Sequence, residues 1–163
     1  RLAALKAGSV DGALLSPPLT ALARDAGFRA LITPQNLVIP YQQTGIATTK
    51  EFIEKNRDSV RRFTRAMVEA VHFYKTHKEE SLALVAKNLK TNDRVALEES
   101  YQEFAVKLHP RKPYPTLEGM ALIVDSQRTK STPANIRAED YVDMSFVKEL
   151  DDSGFIDKLY GGR

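Results

Sequence analysis

The chain has 163 residues, enough for one domain with a sizeable core. Its net charge is only +3, with charges of both signs interspersed, so we expect no nucleic-acid partner, which would need a concentrated basic stripe. Cysteine is absent, which excludes a disulfide framework and a thiolate metal site. No apolar run approaches the length of a membrane span. The chain opens at Arg1 with no signal peptide, and we expect it to be a fragment.

The first part of the chain predicts two short strands on either side of a helix. Residues 10–15 form a mostly apolar run that is typical of a buried strand, and a second strand begins at residues 31–32. Between them, Ser16 is predicted to cap a helix that has Pro17 at its first position and ends near Gly27. A helix that starts directly after a strand leaves free N–H groups at a sheet edge, where open α/β sheets bind ligands.

The rest of the chain predicts one more strand, at residues 44–47, followed by helices. The longest helix is predicted over residues 57–75, with Asn56 as its cap. Asn92 or Asp93 is expected to begin a later helix, Thr116 to cap another, and short helices to cover residues 138–142 and 145–152. The apolar stripe of the longest helix is predicted to face the core; its members are Val60, Phe63, Met67, Ala70, Val71 and Tyr74.

Several blocks of sequence, spread over nearly the whole chain, carry a family resemblance. They are Ala7-Gly8, Val10-Asp11-Gly12-Ala13, Ser16-Pro17-Pro18, Ala26-Gly27-Phe28, Thr44-Gly45-Ile46-Ala47-Thr48-Thr49-Lys50, Asp140-Tyr141-Val142-Asp143 and Ser153-Gly154-Phe155-Ile156. In this order and spacing the chain resembles the nitrate/sulfonate/taurine-type substrate-binding proteins of ABC importers. Their superfamily also holds the synthases of the thiamine pyrimidine precursor.

The resemblance implies an α/β fold, namely the C-terminal part of a two-lobe type II periplasmic-binding-protein fold that is helix-rich after residue 49. Residues 1–38 would complete the second lobe, residues 39–48 would cross the hinge, and residues 49–163 would return to the first lobe. The implied function is that of an importer's solute receptor, which binds a small polar or anionic organic molecule by hinge closure. Its implied partner is a membrane ABC permease, and its implied location is periplasmic or lipid-anchored and extracellular.

Two groups of residues are candidates for ligand binding. Ser16 and Pro17 begin a helix whose N-terminus would face the cleft, although Ser16 can equally be a plain helix cap. Tyr41, Gln42 and Thr44 lie where the second hinge crossing is expected. They can bind the ligand by stacking or hydrogen bonding, or they can be solvated side chains of an edge strand.

No catalytic signature accompanies these candidates. The sequence contains no Ser/His/Asp triad, phosphate-binding loop or dinucleotide motif, and we expect neither a catalytic residue nor a cofactor. His72 and His77 are five residues apart, a spacing that does not place both on one helix face, so we expect no metal site.

Two alternatives to the receptor stay open at this stage. The first is an enzyme of thiamine-pyrimidine-precursor synthesis, although that branch depends on a cysteine-rich segment that this chain lacks. The second is the effector-binding domain of a LysR-type regulator. In every case a fragment would expose apolar surface that a missing part normally covers, so we also expect the chain to self-associate.

Overall fold

The computed structural model describes residues 1–33, 39–42, 44–133 and 135–162, and within these ranges the regular structure is helical. Its helices are α1 (Leu2–Lys6), α2 (Leu19–Asp25), α3 (Lys50–Lys55), α4 (Arg57–Thr76), α5 (Lys78–Leu89), α6 (Arg94–Tyr101), α7 (Leu117–Ser126), α8 (Ser145–Asp152) and α9 (Phe155–Leu159). A π-helical segment, Gln102–Leu108, continues α6, and a 3₁₀ turn covers Ala138–Tyr141. None of the described helices is long and apolar enough to cross a bilayer.

The predicted α/β fold is wrong for the part of the chain that the structure describes, because no strand occurs there. The backbone N–H groups of residues 10–15 and 44–47 donate no hydrogen bond to the backbone of another described residue. The side chains expected inside a sheet are exposed instead: Leu14 by 79%, Leu31 by 86%, Ile32 by 71% and Ile46 by 66%. A strand needs a neighbouring strand for its backbone hydrogen bonds, and the described residues provide none.

Three of the described helices begin with a side-chain cap, and a glycine follows the end of a fourth. The side chains of Thr49, Asp93 and Thr116 accept hydrogen bonds from backbone N–H groups in the first turns of α3, α6 and α7. The predicted cap at Thr116 is therefore confirmed, and of the two residues predicted to begin α6, Asn92 and Asp93, Asp93 is the cap. Gly27, just beyond the end of α2, has a φ of +87°, the left-handed conformation in which glycine ends a helix at little cost.

The described chain divides into two compact units. The first comprises Arg1–Asn36 and Val71–His109, and the second comprises Leu37–Ala70 and Pro110–Arg163. The core of the first unit is a cluster of Leu82, Leu97, Tyr101 and Ala105. The Tyr101 hydroxyl donates to the carbonyl of Lys75 at 3.0 Å, so the ring is buried while its polar end is satisfied.

The core of the second unit is a cluster of Val68, Val147, Leu150 and Ile156, with Ile156 completely buried. Ion pairs border this cluster. Arg57 and Arg61 both contact the Glu149 carboxylate, at 3.1 and 2.8 Å. Hydrogen bonds from Arg61 and then Arg57 hold the pKa of Glu149 below its usual value. Helices α4 and α8 are thereby joined by apolar packing and by a charge pair at the rim.

The N-terminal half of α4 packs on a different face from the one that its sequence predicts, whereas Tyr74 of the predicted stripe packs against the core of the first unit. Val68 is buried, whereas Phe63 and Met67 of the predicted stripe are 49% and 38% exposed. Phe73 of the same helix is also exposed. The side of α4 that holds Arg57, Arg61 and Val68 faces α8, so hydrophobic periodicity identified the helix and, at Tyr74, the end of its contact face, but not the face that packs on α8.

Candidate functional site

The five predicted ligand-binding residues are divided between the two units. Ser16 and Pro17 belong to the first unit, whereas Tyr41, Gln42 and Thr44 belong to the second. Their role in binding stays a prediction. The structure brings Gln42 and Thr44 into direct contact, and it places each of the five as follows.

Ser16 is exposed, and its side chain does not cap α2. The cap position belongs to Pro18, and the Ser16 carbonyl accepts from the Leu19 N–H at 2.9 Å. The predicted cap was wrong because a residue that precedes a proline is disfavoured from helical conformation. Pro17 precedes Pro18, so the helix starts only after the second proline. Helix α2 has seven residues and a first turn without acidic side chains.

Gln42 connects two distant parts of the second unit. Its amide oxygen Oε1 accepts from the Thr116 N–H at 2.9 Å, and its amide nitrogen Nε2 donates to the Thr44 carbonyl at 2.9 Å. Thr116 is the cap of α7, so Gln42 binds one of the N–H groups that a helix start leaves free. A single side chain therefore fixes the Tyr41–Gln42 backbone against the beginning of α7.

Gly119 makes this approach possible. It is buried in the first turn of α7, and a Cβ atom at this position would lie 2.6 Å from the Gln42 nitrogen and 2.9 Å from the Tyr41 carbonyl carbon. Real Cβ contacts are essentially never so short. Sequence reasoning missed this residue, although a glycine within a helical pattern is itself a signal of close packing.

Tyr41 and Thr44 extend from the same segment toward solvent. The Tyr41 side chain is 56% exposed, and Thr44 is exposed as well. Neither side chain makes a hydrogen bond to the described residues, whereas the Gln42 amide is engaged at both ends. Tyr41 thus offers an accessible ring on a fixed backbone, and Gln42 acts as the support for that backbone.

The start of α7 is itself held by the segment before it. The Tyr114 hydroxyl donates to the Asp151 carboxylate at 2.9 Å, and the Lys112 ammonium lies 2.6 Å from the same carboxylate. Hydrogen bonds from Lys112 and then Tyr114 lower the pKa of Asp151. Lys112 and Tyr114 are two residues apart, and both bind the Asp151 carboxylate of α8. These contacts hold the segment that leads into α7.

A groove of about 480 Å³ lies along another side of α7, between this helix and the 3₁₀ turn. Its apolar lining consists of Leu117, Ala121, Val124, Ile136 and Ala138, and its charged lining consists of Glu118, Asp125, Arg128, Arg137 and Glu139. The groove is open to solvent, and half of the residues that line it are charged.

The two arginines of the groove differ in the hydrogen bonds and ion pairs that their side chains make. Arg128 donates to the Asp125 carboxylate at 3.0 Å and to the Ile136 carbonyl at 2.9 Å, which fixes its guanidinium. The side chain of Arg137 makes no hydrogen bond or ion pair within the described ranges, and its backbone N–H donates to Asp140 at 2.9 Å. Arg137 is therefore the cation of the groove that is available to an anionic group.

The histidines have structural contacts. The ring of His77 stacks on Phe73 with centroids 4.5 Å apart, and its Nδ1 lies 2.8 Å from the Thr76 hydroxyl. His109 Nδ1 lies 2.7 Å from the Phe104 carbonyl. Among the residues that the structure describes, no cluster of three or more His, Asp and Glu side chains could hold a metal ion.

Comparison with known proteins defines the class of this chain. The model of the NMT1-like family matches residues 1–90, which is more than half of the sequence. The chain belongs to the NMT1-like family, which comprises nitrate, sulfonate and taurine substrate-binding proteins of ABC importers together with thiamine-precursor synthases. Comparisons with curated proteins and with solved structures found no match.

Proposed function

We propose that this chain is the solute-binding component of an ABC importer and that it binds a small polar or anionic organic molecule. The observation that carries the proposal is the match to the NMT1-like family over residues 1–90, which includes all five predicted binding residues. Closure of two lobes about a hinge is not part of the proposal, because the α/β fold on which that motion depends was not found.

Two separate features of the second unit support the proposal, one at the start of α7 and one along another side of this helix. Tyr41 presents a 56% exposed ring on a backbone that Gln42 anchors to Thr116, so little backbone ordering remains to be done when an aromatic ligand stacks on it. Arg137, in the groove along α7, supplies a cation for a sulfonate, carboxylate or nitrate group. An importer component delivers its solute to a membrane permease, so we also propose a permease partner and a periplasmic or lipid-anchored extracellular location.

A thermal-shift screen tests this function. A ligand that binds only the native state raises the melting temperature, by an amount that grows with its concentration relative to Kd. The panel contains sodium nitrate, taurine, an alkanesulfonate, benzoate and a pyrimidine. We expect a saturable rise with at least one anion of the panel, and the absence of a rise with all five compounds would contradict the proposal.

Matched variants then locate the binding residues. Tyr41→Ala and Tyr141→Ala both remove an exposed tyrosine ring, 56% and 58% exposed respectively. For benzoate, the aromatic anion of the panel, we expect Tyr41→Ala to weaken binding about tenfold, which corresponds to the roughly 1.4 kcal/mol of one stacking contact, and Tyr141→Ala to leave it unchanged. Equal affinities of the two variants would exclude Tyr41 from the site while leaving the receptor function intact.

A further inference from the structure

Gly119 of α7 contacts the backbone of a distant segment that contains Tyr41 and Gln42. A Cβ atom at position 119 would lie 2.6 Å from the Gln42 nitrogen, 2.9 Å from the Tyr41 carbonyl carbon and 3.0 Å from the Thr116 hydroxyl oxygen. All three distances are shorter than ordinary Cβ contacts, which begin at about 3.4 Å. The Tyr41–Gln42 backbone therefore occupies the space that a side chain at position 119 would need, and a larger residue there would displace this backbone.

Hydrogen bonds fix this close approach on both of its sides. The Gln42 side chain accepts from the Thr116 N–H through Oε1 and donates to the Thr44 carbonyl through Nε2, each at 2.9 Å. The Thr116 hydroxyl accepts from the Gly119 N–H at 2.8 Å. We call Gln42, Thr116 and Gly119 the α7 clasp, because together they hold the Tyr41–Gln42 backbone against the first turn of α7.

The α7 clasp determines where the Tyr41 ring lies. Tyr41 directly precedes Gln42, its side chain is 56% exposed, and no hydrogen bond to the described residues fixes that side chain. A tyrosine has only two side-chain torsions, so the place of its ring follows closely from its backbone. We propose that Gly119 and Gln42 are positioning residues, which hold the Tyr41 ring where an aromatic solute stacks on it. This inference rests on the binding function proposed above.

The proposal gives Gln42 a role different from the one that its sequence predicts. Gln42 is predicted to contact the ligand, whereas its amide is engaged at one end by Thr116 and at the other by Thr44. It therefore acts on the solute through Tyr41. A ring that is already held in place loses less freedom when a solute stacks on it, so the affinity depends on the α7 clasp as well as on the ring.

Gly119→Ala tests the role of the close approach. The added Cβ atom would have to lie about 0.8 Å farther from the Gln42 nitrogen than 2.6 Å to reach the ordinary 3.4 Å, so the Tyr41–Gln42 backbone must shift. In an NMR titration with benzoate we expect roughly three- to fivefold weaker binding, a part of the tenfold expected for loss of the whole ring. Gly45→Ala is the matched control from the same segment. Its Cβ would lie 4.0 Å from the Gln42 amide nitrogen, an ordinary contact, and the affinity should stay within about twofold.

Gln42→Met makes the test independent of how well Gly119→Ala folds. Methionine keeps the length of the side chain and removes both amide hydrogen bonds, without adding an atom next to α7. We expect a loss of benzoate affinity comparable with that of Gly119→Ala, because the same backbone is released. Gln127→Met is the control, since Gln127 is exposed and its side chain makes no hydrogen bond within the described ranges. An affinity that is unchanged in Gln42→Met would overturn the proposal.

A double variant separates positioning from a general loss of structure. In Tyr41→Ala the α7 clasp has no ring to position, so Tyr41→Ala/Gly119→Ala should bind benzoate within about twofold of Tyr41→Ala alone. A further loss in the double variant, as large as in Gly119→Ala itself, would show that Gly119 acts elsewhere and would overturn the proposal. Failure of benzoate to bind the original chain would overturn it too, whereas a saturable thermal shift with another anion of the panel would leave the receptor function standing.

Discussion

Residues 1–49 and residues 50–162 are stabilised in different ways. The described parts of the first region contain two short helices, and Leu14, Leu31 and Ile46 are largely exposed there. The second region consists mainly of helices, several with side-chain caps, and the buried clusters of both units are built from its residues. A helix satisfies its backbone groups within its own segment, whereas a strand depends on another segment.

The comparison explains why equally apolar sequences end in different environments. Residues 10–15 are as apolar as many helical segments of the second region, yet they bury little, because no described segment pairs with their backbone. Helices α5 and α6, in contrast, form their own hydrogen bonds and can then pack Leu82 against Leu97. In this chain an apolar segment is buried where its backbone N–H and C=O groups are hydrogen-bonded, and hydrophobicity alone does not predict burial.

The largest expected effect comes from truncating matched isoleucines in the two regions. Ile156 is completely buried in the second region, and Ile32 is 71% exposed in the first. Ile156→Ala removes packed atoms and leaves a cavity, so we expect a loss of about 2 to 4 kcal/mol in the free energy of unfolding. Ile32→Ala should change it by less than about 0.5 kcal/mol. Urea denaturation measures both, and similar losses would show that Ile32 is buried in solution.

Helix caps give the next largest difference. Asp93 and Thr116 each accept a hydrogen bond from a helix N–H, at 3.0 and 2.8 Å, whereas the Ser16 side chain caps no helix. Asp93→Ala and Thr116→Ala should each cost about 1 kcal/mol of stability. Ser16→Ala should be neutral within about 0.5 kcal/mol. If Ser16→Ala lost as much stability as the other two variants, the Ser16 side chain would cap a helix in solution, as its sequence predicts.

Gly119→Ala should have a smaller effect on global stability and a clear local one. The added Cβ would meet the backbone of Tyr41 and Gln42, while alanine is favoured over glycine within a helix by about 1 kcal/mol, so the two effects largely offset. We expect the Gln42–Thr116 hydrogen bond to break, which amide exchange at Thr116 detects. Gly12→Ala is the control, because its Cβ would meet no atom within 4 Å. Unchanged exchange at Thr116 in Gly119→Ala would contradict the close approach.

The smallest expected effect is the acid dependence of stability. Glu79, Glu98, Glu149 and Asp151, all in the second region, have their pKa lowered chiefly by hydrogen bonds from Arg or Lys side chains. A carboxylate with a lowered folded-state pKa adds stability above its unfolded pKa and loses it as the pH falls through the folded value.

The free energy of unfolding should therefore be constant near neutral pH and decline below about pH 4.5, the unfolded value for Glu. Glu149→Gln removes one of these groups and should make the decline shallower, which urea titrations at pH 3 to 7 would detect. A decline that is unchanged in this variant would show that the Arg61–Glu149 contact is absent in solution.

Several local signals were readable from the sequence, although the predicted Ser16 cap was wrong, and long-range contacts were not readable. Asp93, Thr116 and Gly27 act within one turn of their own helix, and their roles were predicted correctly. The strand at residues 10–15 was predicted from an apolar run, and such a run does not distinguish a strand from other apolar segments. The Gln42–Thr116 hydrogen bond spans 74 positions, so the sequence offered only an indirect sign of it, Gly119 within a helix.

Hydrogen exchange resolved by residue tests most directly the difference between the two regions. We predict rapid exchange for the amides of residues 10–15 and 44–47, whose N–H groups donate to no backbone carbonyl among the described residues. We predict slow exchange in the middle of α4 and α8, where each amide lies within a helix that packs on the buried Val68 and Leu150. Strong protection of residues 10–15 and 44–47 would mean that these segments are paired in a sheet and would contradict the account.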